Sequence, residues 1–162
     1  MGIWGPDLFE NDAALDWAAG LVQASNRAEF LHRTLHESEA WETILPAAAV
    51  IAAGIPRVGR SAASAEAGRL RDLCAEYLDQ EAGDEPVLDE RGGFVRMKKV
   101  KPQAFAWKTL VISAALRQLA HEAVVRVLRE GSGVVDWDDE ERDAWVDGVR
   151  RLERLLAPVA EA

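Results

Sequence analysis

The chain has 162 residues, 49% of them hydrophobic and 29% charged, which is the composition of one ordinary globular domain and excludes a disordered chain. Twenty-eight Asp and Glu against nineteen Lys and Arg leave a formal net charge of -9. Phosphate backbones repel such a chain, so no general nucleic-acid binding is expected.

The opening residues carry Asp7, Glu10 and Asp12 and no basic run, unlike a secretory leader. Asn11 or Asp12 is placed to cap a first helix through about Gln23, in which Ala14, Leu15, Trp17, Ala18, Leu21 and Val22 repeat at helical spacing. Asn26 with Glu29 forms an Asn-x-x-Glu box opening a second helix through about His36. Ser38 is a cap for a third helix, whose Pro46 should kink it or delay its regular start, and which Gly54 and Pro56 end. The longest uncharged stretch, Thr43 to Pro56, falls short of the roughly 18–20 residues that span a bilayer, so no membrane association is expected.

Arg57 to Ser64 reads as a small-residue linker, followed by a fourth helix from about Ala65 to Ala82 with Leu70, Leu73, Cys74, Tyr77 and Leu78 as its buried stripe. The charged connecting segment 84–102 resists a helical reading. Val87-Leu88 and Phe94 to Met97 flank Gly92-Gly93, the pattern of a short hairpin or of an ordered loop. Pro102 suits the first turn of a long fifth helix reaching about Glu130, apolar over more than half its circumference and therefore expected at the centre of the bundle. Asp136 or Asp138 caps a sixth helix to about Leu156. The fold expected is all-α: a single domain over residues 1–162, with an aromatic segment 1–10 and about six helices around a long central one.

Met1-Gly2-Ile3-Trp4-Gly5-Pro6, then Phe9, Asn11-Asp12-Ala13-Ala14 and Asp16, resembles the opening of a bacterial family grouped only as domain of unknown function 4259. The alanine-rich Pro46 to Gly54 and the stretch Ala120 to Leu156, with Ser132, Trp137 and the Trp145/Leu152/Leu156 rhythm, are similar to later parts of that family. The resemblance implies fold and compartment and carries over no catalytic residue. Physically, Trp4 and Phe9 around the Gly5-Pro6 turn can pin the chain before its first helix, or Trp4, Asp7 and Asn11 can line a ligand site at that helix end.

Three constellations bear on function. Glu29, His32 and His36 share one helical face, and Glu-x-x-His is a ligand pair of carboxylate-bridged metal bundles. With His121 they would form a divalent-metal site; the competing reading is a solvated face in which Glu29 meets Arg33 and Glu122 meets Arg126. The acidic run Asp136 to Glu141 contains Trp137, Asp138 and Asp139 and lacks the glycine of a calcium loop. It reads as a dipole-matched helix start or as a patch for a basic partner. All four lysines, Lys98, Lys99, Lys101 and Lys108, fall near Arg91 and Arg96. They either neutralise Asp84 to Glu90 or form an anion-binding or partner-docking loop with Phe94, Met97 and Phe105 as its apolar contacts.

Cys74, the single cysteine, excludes an internal disulfide and suits a reducing cytoplasm. It sits in an apolar stripe with no adjacent base, and no serine-nucleophile or phosphate-loop motif is present. The function expected is therefore a cytoplasmic, non-enzymatic domain without cofactor that binds another protein, in the manner of an immunity or antitoxin-like factor. Its contacts would be Trp4, Phe94, Lys98, Lys99, Lys101, Trp137, Asp138 and Asp139. The competing expectations are a metal-dependent helical enzyme on Glu29, His32, His36 and His121, and a small-molecule-binding bundle.

Overall fold

A computed structural model describes residues 12–57, 61–80, 83–130 and 138–158. These residues form six α-helices, α1 (Asp12–Gln23), α2 (Arg27–Glu37), α3 (Trp41–Gly54), α4 (Ala62–Leu78), α5 (Ala114–Glu130) and α6 (Asp139–Leu156), with one two-stranded sheet, β1 (Gly83–Leu88) and β2 (Phe94–Val100). The expected all-α bundle is present, and the segment 84–102 is resolved as a hairpin.

Local capping chemistry sets several boundaries. Asn26 accepts from the amide of Glu29 at 3.1 Å, while the Glu29 carboxylate turns to Arg33 instead of closing the box. At α6 the box is complete, because Asp138 accepts from the Glu141 amide at 2.8 Å and Glu141 accepts in return from the Asp138 amide. Asp136, the other expected cap, lies outside the described residues, as do Asn11, Trp4, Phe9 and Trp137.

Helix α3 occupies the centre. Ile44 through Ala53 are all buried, and the helix packs against α1, α2, α4, α5 and α6. The expectation that the fifth helix lies at the centre is corrected: Gln118, Glu122, Arg126 and Arg129 leave α5 a solvated face. Alanines at 47, 48, 49, 52 and 53 let neighbouring helices approach α3 from several sides at once. Pro46 does not delay the start, since α3 begins at Trp41 and carries the proline inside it. Nor is Ser38 its cap. Ser38 closes α2, and its hydroxyl instead accepts from the Ala40 amide at 3.2 Å and shares a hydrogen bond with Thr43.

Two other expected boundaries move for tertiary reasons. Helix α4 starts at Ala62, where Ser61 accepts from the Ser64 amide, and ends at Leu78 instead of Ala82. Beyond it, Asp79 Oδ1 accepts from the Phe105 amide at 2.7 Å, and Gln80 and Gln103 exchange a pair of backbone hydrogen bonds. That pairing holds residues just after Pro102 in an extended path, so α5 begins at Ala114, with Ser113 accepting from the Leu116 amide. Between them, Phe105 and Leu110 are buried against the bundle and Trp107–Thr109 form one 3-10 turn.

Polar clamps tie the helix ends together. Arg27 donates to the carbonyls of Leu21 and Val22 at the end of α1 and stacks over Phe105, 4.4 Å from the ring centre. Arg117 donates to Leu156 and Ala157 at the end of α6, and Arg57 to Leu155. Among the described residues no helix is long and apolar enough to cross a membrane.

Candidate functional site

The β1–β2 ribbon stands clear of the helices: every residue in it is exposed except Val87 and Val100, which are partly so. Its turn is built by Asp89, whose Oδ1 accepts from the amides of Arg91 and Gly93 at 2.9 and 2.8 Å. Gly92 has φ +78, which favours glycine, and a Cβ at Gly93 would stand 2.8 Å from the Asp89 carboxylate and displace it from the turn. The same antiparallel register reaches back to the Gln80–Gln103 bridge.

Register decides what each face carries, since directly opposite residues share a face. One face pairs Leu88 with Phe94, Pro86 with Met97 and Asp84 with Lys99. The other pairs Val87 with Arg96 and Glu85 with Lys98, and the bulge near Val87/Leu88 leaves Val95 unpaired. The first face is thus an apolar strip ending in one opposite-charge pair. Leu88, Phe94, Val95 and Met97 are 55%, 66%, 55% and 51% exposed, and they make up most of the large exposed hydrophobic side chains among the described residues.

Of the expected contact residues, Phe94, Lys98 and Lys99 lie in β2, and Lys101 follows it, exposed. Lys98 and Lys99 each oppose a carboxylate across the ladder, so the ribbon is close to self-neutralised: five cationic side chains and four acidic ones lie between residues 83 and 101. Phe105, expected beside Phe94 and Met97, is instead 5% exposed and packed under Arg27. Asp138 spends its carboxylate on the α6 cap, and Asp139 is exposed, 3.8 Å from Arg142. Trp4 and Trp137 lie outside the described residues.

The spacing of Glu29, His32 and His36 does align them on α2, where the two imidazoles stack with centres 5.8 Å apart. That face is exposed, and Glu29 is engaged with Arg33 at 3.3 Å. His121 on α5 is instead 3.4 Å from Glu153 on α6. The structure does not bring the four residues together, and among the described residues no group of three or more His, Cys, Asp or Glu is arranged to hold a metal ion. Glu122 accepts from Gln118 at 3.0 Å, not from Arg126. Cys74 is fully buried, and loss of solvation pushes its thiol up, away from the thiolate that a nucleophile needs.

A cleft of about 560 Å³ opens between the end of α3, the first turns of α4 and the segment leading into α5. Arg57, Arg71 and Lys108 line it with Trp107, Leu110 and Ile112. Apart from Lys108, none of these was singled out as a site residue by motif or spacing. They come from three distant stretches of the chain, and each stretch alone reads as a linker or a helix surface.

The sequence matches the family model described as Domain of unknown function (DUF4259) over residues 2–147. No curated protein and no solved structure matches the chain.

Proposed function

The chain belongs to the DUF4259 family, and within it we propose that this member is a cytoplasmic, non-enzymatic domain that binds another protein through the β1–β2 ribbon. The observation that carries this reading is the apolar strip of Pro86, Leu88, Phe94 and Met97, set on a projecting hairpin with Val95 bulged beside it. A two-stranded ribbon that shares little packing with the described helices is marginal by itself, and large apolar side chains on it add little to the described core. An exposed apolar strip with a polar rim is the anatomy of a contact surface.

Charge supports the same reading. The ribbon is nearly neutral on a chain of net charge -9, so a partner meets little repulsion there whatever its own sign. Affinity would come from burying Phe94, Leu88 and Met97, with Arg96 and the Asp84/Lys99 pair setting orientation. Occupying a partner in this way is how an immunity or antitoxin-like factor acts, and it needs no catalytic group.

The test is site-specific photo-crosslinking in cells. A benzoylphenylalanine placed at Phe94 or at Met97 should yield the same discrete adduct, and one placed at Arg150, exposed on α6, should not. Equal labelling from all three positions, or no adduct from the ribbon, would sink the proposal.

A further inference from the structure

The cleft beside α3 concentrates positive charge on an acidic protein. Arg57, Arg71 and Lys108 line it, and among the described residues no Asp or Glu does. Arg71 lies over the Trp107 indole, 4.8 Å from the ring centre. Neither Arg71 nor Lys108 pairs with a carboxylate among the described residues. Arg57 gives one Nη to the Leu155 carbonyl, and its buried Nε has no hydrogen-bond partner among the described residues. Burial and the nearby Arg117, opposed in part by Glu66, hold the Arg57 guanidinium below its ordinary value, a cost that a bound anion would relieve.

Apart from Ser64 the remaining wall is largely apolar: Ile55, Leu110, Val111 and Ile112 line it, with Val111 75% exposed. At Gly68 a Cβ would meet nothing within 4 Å, so α4 leaves open space at the cleft. The volume, about 560 Å³, is within the range that holds a small organic molecule.

We infer that this cleft binds a small organic anion, with a carboxylate, sulfonate or phosphate head at Arg71 and Lys108 and an apolar body along Trp107, Leu110 and Ile112. An inorganic anion would leave the apolar wall wet, and a neutral apolar molecule would desolvate the cations without a counter-charge. The acidity of the rest of the chain does not forbid this, because charges beyond about 8 Å are screened at physiological salt. The ribbon shares no residue with the cleft.

Calorimetric titration of the whole chain tests it with 8-anilinonaphthalene-1-sulfonate and N-phenyl-1-naphthylamine, the same aromatic body without the sulfonate. The sulfonate should saturate one site per chain and the neutral compound should bind about tenfold more weakly or worse. Arg71→Gln combined with Lys108→Gln should weaken the sulfonate about tenfold and leave the neutral compound unaffected. Gly68→Leu fills the open space while favouring the helix, so it should abolish both with helical circular dichroism retained. Phe94→Ser with Met97→Ser should leave binding intact. Binding that survives both cleft variants, that is lost in the ribbon variant instead, or that never saturates would overturn the inference.

Discussion

Leu88 and Phe94 oppose each other across the last pair before the ribbon turn, and both side chains are more than half exposed. Their contact belongs to the ribbon and not to the core. Replacing both with serine should therefore leave the unfolding free energy from urea titration unchanged, within about 0.5 kcal/mol. The same variant should lose the crosslinked adduct formed from position 97. A large drop in global stability would mean that the strip is covered by the protein itself, and the docking role would fall.

The turn offers a second separation of local from global structure. Asp89 Oδ1 accepts two backbone amides, and in Asp89→Ala those amides lose their acceptor. The expected cost is about 1 kcal/mol, confined to the ribbon, because β1 and β2 share little packing with the helices. Hydrogen exchange should quicken at the paired strand residues, among them Met97 and Lys99, while the amides of α3 keep their protection. Uniform acceleration through α3 would show that the ribbon and the bundle unfold together.

These local features were the ones legible from sequence. Asn26 and Asp138 cap helices through side chains three residues from their targets, and such signals need no tertiary context. Gly92-Gly93 between two apolar runs marks a break in helix for the same reason, leaving hairpin and ordered loop open, and the structure has the hairpin. The preference of Pro102 for a first helical turn is weaker than the Gln80–Gln103 pairing and the burial of Phe105 that follow it. Periodicity alone favours α5 as the centre because its apolar pattern is longer, whereas α3 is enclosed by virtue of small side chains, which periodicity under-weights. The cleft was invisible altogether, since no local pattern places Arg57, Arg71 and Lys108 around one space.

Arg117 shows how much of the bundle rests on one long-range clamp. Its guanidinium is 3.0 Å from the Leu156 carbonyl and 2.6 Å from that of Ala157, groups that the end of α6 leaves without helical partners. Arg117→Met keeps much of the stem and removes the donors. The loss should be about 1–3 kcal/mol, which for a chain of this size lowers Tm by about 2–4 °C per kcal/mol. Arg117→Lys should recover only part, because one ammonium cannot reproduce the fork that reaches successive carbonyls. Full recovery by lysine would show that charge at the helix end matters and the hydrogen-bond geometry does not.

Cys74 makes a pH prediction whose sign follows from burial. The thiol is fully buried in α4, with Leu70 and Leu78 one turn to either side, and loss of solvation raises it above its ordinary value near 9.0. In the unfolded chain it ionises near that ordinary value, while in the folded chain it keeps its proton. Above pH 9 the unfolded state therefore binds fewer protons than the folded one, and stability falls as pH rises, by about 1.4 kcal/mol per pH unit from this group. Below pH 9 the contribution is fully present and flat. Lysine and tyrosine titrations are shared with Cys74→Ala, so the difference between the two proteins isolates the thiol. Urea unfolding of the pair should give parallel stabilities up to about pH 9, then a wild-type deficit growing to about 2 kcal/mol near pH 10.5. Native protein should also resist thiol reagents at neutral pH until it unfolds. Rapid labelling of the folded chain, or curves that stay parallel to high pH, would place the thiol at the surface and overturn its reading as a packed core group.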